Sequence, residues 1–122
     1  MSNTAPRKNT NRVEKVNSLI QVLLGNILLP YLKQLSGLTT VSKVQCSRDL
    51  KYAKVWISIV GGDDEVVMNT LKNNIYDIQG ELNRRMEIKI VPRISFHLDT
   101  SGRYAERINE IFKKIEDEEH GQ

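Results

Sequence analysis

The sequence predicts a single α+β domain in which helices cover one face of a three-stranded sheet. The chain has 122 residues, the size of one domain that can bury an apolar core without metals or disulfides. In some segments apolar residues recur with the period of a helix, and in others they alternate with polar residues as in a strand. The segments follow the order helix, strand, strand, kinked helix, strand, helix. Packing the helices on one face of the sheet is the simplest arrangement for that order.

The chain begins with polar and basic residues that show no apolar period, so we expect residues 1–9 to form a flexible basic N-terminal arm. An amphipathic helix is predicted from residue 10. Pro30 ends or kinks this helix, because proline lacks the N–H that a helix needs. The apolar stripe of the helix consists of Val13, Val16, Ile20, Leu23, Leu24 and Ile27.

Two strands are predicted next. Residues 39–46 are rich in β-branched side chains, and residues 52–60 alternate clearly between apolar and polar. The short polar segment 47–51 between them predicts an antiparallel hairpin. The buried face of the second strand is expected to carry Ala53, Val55, Ile57 and Ile59, and its other face Lys54, Trp56 and Ser58.

A helix is predicted after the turn at Gly61-Gly62, because acidic residues at 63–65 suit the positive end of a helix dipole. Its apolar stripe consists of Val67, Leu71, Ile75 and Ile78. We predict a kink at the triplet Ile78, Gln79 and Gly80, where glycine interrupts the pattern, and a second short helical piece after it.

The last elements are a strand and a helix. The third strand is predicted from Ile88, Ile90, Ile94, Phe96 and Leu98, with Pro92 marking a bulge or an edge. The final helix is predicted over residues 103–116, and its inward-facing residues are expected to be Tyr104, Ile108, Ile111, Phe112 and Ile115. The folded domain therefore spans residues 10–116, and we expect residues 117–122 to form an acidic flexible tail.

Composition excludes several classes of protein. No apolar run approaches the roughly 20 residues that a membrane-spanning helix needs. The N-terminus lacks the apolar region of a secretory signal. Cys46 is the single cysteine, which excludes an internal disulfide and suits a reducing compartment. We therefore expect a cytoplasmic protein.

The chain offers little catalytic or metal-binding chemistry. His97 and His120 are far apart, and neither lies in a metal-ligand motif. Cys46 has no histidine nearby in the sequence that would activate it as a nucleophile. The acidic segment 61–64 lacks the spacing of a phosphate-binding loop. We therefore expect no enzyme activity, no metal site and no cofactor.

Charge is distributed unevenly. The net charge is +3, yet residues 1–54 hold nine Lys/Arg against two Asp/Glu, and residues 55–83 hold one against five. A basic face most often binds a phosphate backbone, so RNA is the expected partner. Tyr52 and Trp56 either stack on bases or pack against a helix. The candidate RNA-binding residues are Arg7, Lys8, Arg12, Lys15, Lys43, Arg48, Lys51, Lys54, Arg84, Arg85, Lys89 and Arg93.

Two ordered motifs resemble the ribosome-binding factor A family of bacterial small-subunit assembly factors. The first reads Val44-x-Cys46-Ser47-Arg48-Asp49-Leu50-x-x-Ala53-x-Val55. The second reads Ile88-x-Ile90-Val91-Pro92-Arg93-Ile94-Ser95-Phe96-His97-Leu98-Asp99. The resemblance covers about residues 10–116, and it is specific because both blocks occur in this order.

The resemblance implies a type II KH-like domain of order α-β-β-α-(kink)-α-β with a C-terminal helix. The family has an Ala-x-Gly kink in place of the Gly-x-x-Gly loop of other KH domains. Ile78-Gln79-Gly80 is taken as its counterpart, with Gly80 kept and Ile78 departing from the pattern. The implied function is non-catalytic: binding of the free, immature 30S subunit through 16S rRNA, support of late maturation including 16S rRNA 5′-end processing, and a link to growth in the cold.

We also expect a monomer, because the sequence shows no heptad repeat and no large leftover apolar stripe, and we expect no membrane or small-molecule partner. Two alternatives stay open. A generic KH-like RNA-binding module would bind short single-stranded RNA as well as it binds subunits. A protein-interaction module would use the Trp56 face or the acidic segment 55–83, and its binding would survive high salt, whereas phosphate binding falls steeply with salt.

Overall fold

The structure is a computed structural model that describes residues 4–120, and the side chains of residues 11–118. Within that part, five helices and three strands form the predicted α+β fold, and the predicted fold class is confirmed. The elements are α1 (Thr4–Ile27), α2 (Leu29–Leu32), β1 (Leu38–Cys46), β2 (Tyr52–Val60), α3 (Asp64–Asn73), α4 (Ile75–Arg85), β3 (Arg93–Leu98) and α5 (Ser101–His120).

The three strands form one sheet in the order β1-β2-β3. β1 and β2 are an antiparallel hairpin, whereas β2 and β3 are parallel and are joined by α3 and α4. The alternation along β2 is as predicted, because Ala53, Val55, Ile57 and Ile59 are all buried. The opposite side of the sheet, which we call the open face, carries Lys43, Gln45, Tyr52, Lys54, Trp56, Ser95 and His97.

The core lies between the sheet and helices α1, α3 and α4. Helix α1 packs on β1 and on α4, and α3 packs on β3. Burying a large aliphatic side chain contributes about 1.5–3 kcal/mol, so this layer is the main source of stability. Its fully buried residues include Ile20, Leu24, Leu28, Val55, Ile57, Val67, Leu71, Ile78 and Leu82.

Two amide side chains fasten α1 to the edge strand β1. Asn17 Oδ1 accepts a hydrogen bond from the Cys46 N–H at 2.8 Å, and Gln21 Nε2 donates to the Val41 carbonyl at 3.0 Å. Asn17 and Gln21 are four residues apart and so lie on the same face of the helix. Because Asn17 meets the end of β1 and Gln21 its middle, α1 runs antiparallel to β1.

The ends of the chain differ from the predicted boundaries. Helix α1 begins at Thr4, so part of segment 1–9 is helical, and α5 continues to His120, into the segment predicted as a tail. Whether these two segments are flexible in solution stays a prediction.

The third strand is shorter than predicted. It begins at Arg93, and Ile88 and Ile90 precede it, exposed to 41% and 72%. Pro92 is buried directly before the strand and has no N–H to donate to a ladder, which explains why regular pairing starts only after it.

The predicted kink at Ile78, Gln79 and Gly80 is wrong, because these residues lie within α4. The helix breaks at Asn74, whose φ of −105° and ψ of 12° are not helical. The Asn74 side chain donates from Nδ2 to the Thr70 carbonyl at 2.7 Å, and such local bonds of asparagine compete with the helix backbone. The triplet at the break is Asn74-Ile75-Tyr76, which holds neither the alanine nor the glycine of the family pattern.

Gln79 has another role: it holds the start of β3. Its Oε1 accepts from the Ile94 N–H at 2.8 Å, and its Nε2 donates to the Pro92 carbonyl at 3.1 Å. A side chain that satisfies two backbone groups on either side of Arg93 fixes where the parallel strand begins.

We expect Gln79→Ala to lower the free energy of unfolding by about 1–3 kcal/mol, because the Pro92 carbonyl and the Ile94 N–H lose their partner. Urea denaturation measures the loss. Asn83→Ala is the matched control, since Asn83 accepts from Gln79 Nε2 at an exposed site, and it should change stability by less than about 0.5 kcal/mol. Equal stability of the two variants would contradict a role for Gln79 in fixing β3.

Contrary to the prediction, the apolar residues of the final helix do not face inward. Tyr104, Ile111, Phe112 and Ile115 are between 48% and 68% exposed, and only Ile108 is half-buried. The inner face of the sheet is already covered by α1, α3 and α4. Helix α5 is held near its start, where Arg103 donates to Asp64 Oδ2 at 2.6 Å and to the Ile59 carbonyl at 2.9 Å. Among residues 4–120, no helix is long and apolar enough to cross a membrane.

Candidate nucleic-acid interface

The turn between β1 and β2 is held by the first sequence motif. Asp49 Oδ1 accepts from the Ser47 hydroxyl at 2.7 Å and from the Lys51 N–H at 3.2 Å. The Ser47 Oγ also accepts from the Tyr52 N–H at 3.1 Å. Leu50 takes a φ of 58° and is half-buried against the core. The Ser-x-Asp-Leu motif therefore has a structural purpose, which is to fix the shape of this turn.

The fixed turn presents two cations to solvent. Arg48 and Lys51 are both exposed, and neither forms an ion pair within residues 11–118. The Ser47 hydroxyl, with help from the Lys51 N–H, lowers the pKa of Asp49, so the carboxylate that holds the turn stays ionised at neutral pH. The geometry that displays Arg48 and Lys51 is therefore stable over the physiological range.

The start of β3 lies against this turn. The Arg93 N–H donates to the Lys51 carbonyl at 2.9 Å, and Arg93 pairs with Tyr52 in the sheet. Arg93 is exposed and extends the basic surface beyond the hairpin.

Helix α1 adds further charge at the same edge of the domain. Asn17 meets Cys46, so residues before Asn17 run toward and past the turn, and Arg12 lies about 7.5 Å further along the helix axis. Arg12 and Lys15 are exposed. We call this edge, formed by turn 47–51, the start of β3 and residues 12–15, the hairpin end.

The opposite edge of the domain is acidic. Helix α3 begins there with Asp64 and Glu65 in its first turn, and the preceding Asp63 caps it, because its Oδ1 accepts from the N–H groups of Glu65 and Val66 at 3.0 and 3.2 Å. Strand β2 runs from the hairpin end to this acidic end. The basic block 1–54 and the acidic block 55–83 therefore place their charges at opposite ends of one domain.

Arg84 and Arg85 differ from the other basic residues because they are paired. Arg84 donates to Glu81 Oε2 at 2.6 Å and Arg85 to Glu81 Oε1 at 3.0 Å. These bonds lower the pKa of Glu81, so its charge persists and offsets part of the positive field. Arg84, Arg85 and Lys89 are exposed near the connection from α4 to β3.

The open face carries an aromatic pair that sequence reasoning did not find. Trp56 and His97 face each other from neighbouring strands, with ring centroids 5.1 Å apart and planes tilted by 38°. His97 Nε2 also shares a hydrogen bond of 2.9 Å with the Ser95 hydroxyl. The indole N–H of Trp56 is buried and has no acceptor among the described residues. Parallel register between the strands, which a sequence pattern does not give, brings these rings together.

Asp99 closes the open face near the acidic end. Its Oδ2 accepts from the Ser42 hydroxyl at 2.6 Å, and its Oδ1 accepts from the Ser101 N–H and hydroxyl at 2.9 and 2.6 Å. The Ser101 and Ser42 bonds lower the pKa of Asp99 to about 2. The aspartate that ends the second motif therefore ties β1 to the start of α5.

The described residues hold little reactive chemistry. Burial raises the pKa of the Cys46 thiol to about 11, which keeps it protonated and a poor nucleophile. Within residues 11–118, no three His, Cys, Asp or Glu side chains gather closely enough to hold a metal ion. The side chains of Arg7 and Lys8 lie outside the described part of the chain, so their contribution stays a prediction.

The protein-family model described as ribosome-binding factor A matches residues 12–112 of this chain. The ribosome-binding factor A of Caldicellulosiruptor bescii is 35% identical over 110 residues, covering 85% of this chain and 83% of that protein. The factor of Caldanaerobacter subterraneus subsp. tengcongensis is 28% identical over 117 residues, covering 93% and 96%.

Solved structures show the same fold. The crystal structure of ribosome-binding factor A from Thermus thermophilus matches with a TM-score of 0.60 and 20% identity, covering 70% of this chain and 94% of that one. A second set of coordinates for the Thermus thermophilus factor, a homology model fitted into a cryo-EM map of its complex with the 30S subunit, matches with a TM-score of 0.53 and 21% identity, covering 67% and 93%.

Proposed function

Because this chain belongs to the ribosome-binding factor A family, we propose that it is a non-catalytic assembly factor that binds free, immature 30S subunits through 16S rRNA. It supports late maturation, including processing of the 16S rRNA 5′ end, and growth in the cold. It acts in the cytoplasm as a monomer. The observation that carries this proposal is the family match over residues 12–112, joined to a basic hairpin end at one edge of the fold.

The hairpin end supports rRNA binding through charge. A protein that neutralises RNA phosphates releases their counterions, which is a large and salt-dependent source of affinity. Arg48, Lys51 and Arg93 are exposed and unpaired within residues 11–118, so they meet phosphates without first breaking an ion pair. The full proposed set also includes Arg7, Lys8, Arg12, Lys15, Lys43, Lys54, Arg84, Arg85 and Lys89.

A rigid hairpin end supports recognition by shape. The hydrogen bonds of Ser47 and Asp49 fix the backbone positions of Arg48 and Lys51 before RNA arrives, so little backbone freedom is lost on binding. Cations displayed from a fixed turn bind best to the rRNA conformer whose phosphates match their positions. Differential affinity for that conformer shifts the population of subunits toward it, and no bond is made or broken by the protein.

The 30S subunit is the proposed partner because the Thermus thermophilus factor has been fitted into a map of its 30S complex. The test is genetic. In cells that lack this gene, we expect free 30S subunits to accumulate 16S rRNA with an unprocessed 5′ end, and the wild-type chain to restore processing. Primer extension on gradient-purified 30S subunits measures the unprocessed fraction. Normal 5′ ends in the deletion strain, at low temperature as well as at the optimum, would contradict the proposed role in maturation.

A further inference from the structure

The open face of the sheet combines aromatic rings with cations. Tyr52 is 60% exposed, and Trp56 is paired with His97. Lys54 lies between Tyr52 and Trp56 on β2, and Lys43 lies opposite Trp56 on β1. No acidic residue occurs in any of the three strands, and the one carboxylate at the edge of this face, Asp99, accepts hydrogen bonds from Ser42 and Ser101 and lies near Lys43. A surface of this kind is not needed to hold the fold together, because the core lies on the other side of the sheet.

The spacing of these rings fits a short nucleic-acid segment. Tyr52 and Trp56 are four residues apart on one strand, about 13 Å, and both point to the open face. Sheets of other RNA-binding domains stack about two or three bases on aromatic residues over such a surface. Arg93 pairs with Tyr52, so the row of cations continues from the hairpin end onto the open face.

We propose that the open face binds a short single-stranded RNA segment, with bases stacked on Tyr52 and on the Trp56–His97 pair and phosphates held by Lys43 and Lys54. This inference rests on the proposed function, because it takes rRNA as the natural ligand, but it concerns the face of the sheet next to turn 47–51 rather than the turn itself. Single-stranded RNA suits the face better than a duplex, whose bases are already stacked on each other. An apolar protein partner suits it less well, because Lys43 and Lys54 would lose water without gaining an opposite charge.

Trp56 is the only tryptophan in the chain, so its fluorescence reports directly on this surface. The experiment titrates the full chain with a mixed-sequence RNA of about ten nucleotides, following tryptophan quenching and the anisotropy of a label on the RNA. We expect saturable quenching that parallels anisotropy. Tyr52→Ala should weaken binding by about 5- to 150-fold, the loss of one stacked base, and Tyr52→Phe should bind within about twofold of wild type.

The controls separate stacking from charge. A matched RNA duplex and polyglutamate carry negative charge without free base faces, and they should quench weakly. If either control quenched Trp56 as strongly as the single-stranded RNA does, the stacking proposal would be overturned. Strong quenching by polyglutamate would indicate an acidic protein as the partner. RNA binding that leaves Trp56 fluorescence unchanged and is insensitive to Tyr52→Ala would also overturn the stacking proposal. That result would still agree with RNA binding at the hairpin end. Failure of the wild-type chain to bind 30S subunits would instead contradict the proposed function itself.

Discussion

Replacing Arg48 and Lys51 together by glutamate should weaken binding to free 30S subunits by roughly two to four orders of magnitude, because each charge-assisted phosphate contact is worth about 1.5–3 kcal/mol. Both side chains are exposed on a turn whose shape depends on Ser47 and Asp49, so the fold should survive the change. The slope of log affinity against log salt should become shallower by about two, as two phosphate contacts are lost. Sedimentation of labelled protein with 30S subunits over a range of salt measures both quantities.

The matched control changes the same amount of charge elsewhere. Lys33 follows α2 near the acidic end and Lys113 lies on α5, and both are exposed. Lys33→Glu with Lys113→Glu should therefore change 30S affinity by less than about threefold through the general field alone. Arg84→Glu with Arg85→Glu should have an intermediate effect, because Glu81 already offsets part of that charge. Equal losses for all three pairs would mean that net charge, rather than the hairpin end, governs binding.

Replacing Gly62 by alanine should destabilise the fold by about 3 kcal/mol or more, the upper part of the range for overpacking. A Cβ at Gly62 would stand 2.5 Å from the Ser36 carbonyl oxygen, and one at Gly37 would stand 2.5 Å from the Gly62 nitrogen. These clashes are with backbone, which cannot rotate away. The two glycines let the segment before β1 pass close to the turn after β2. A side chain at either position would push these two segments apart.

Other glycines provide the controls for this effect. A Cβ at Gly25 would meet nothing within 4 Å, so Gly25→Ala should stabilise α1 by about 0.5–1 kcal/mol. Gly61 has room for a Cβ but a φ of 73°, so Gly61→Ala should cost only about 1–2 kcal/mol. Thermal and urea unfolding followed by circular dichroism would give this order. A Gly62→Ala chain as stable as wild type would contradict the close crossing.

Local periodicity made much of the fold predictable. The alternation along β2 identifies its buried face because successive side chains of a strand point to opposite sides. The stripe of α1 is equally direct, and Ile20, Leu24 and Ile27 are buried as it requires. The basic block 1–54 and the acidic block 55–83 predicted a basic surface. Strand β2 runs from one block into the other and so carries them to opposite ends of the sheet.

Features set by tertiary contacts were not predictable in this way. The amphipathic pattern of α5 shows that one face of the helix is apolar, but it does not show which surface of the domain that face packs against. In the structure, α1, α3 and α4 already cover the inner face of the sheet, so the apolar face of α5 stays exposed. Gly80 suggested a kink, yet a Cβ there would meet only Arg84 Nη1 at 3.6 Å, so nothing forces the helix to bend at that position. The break lies at Asn74, where side-chain bonding to the Thr70 carbonyl competes with the helix.

The most direct test of the central claim is co-sedimentation of the purified chain with free 30S subunits, 50S subunits and 70S ribosomes over a range of salt. The account predicts selective binding to free 30S subunits that falls steeply as salt rises. Binding to all three particles alike, or binding to 30S subunits that is unchanged by salt, would contradict a factor that recognises the small subunit through the phosphates of its rRNA.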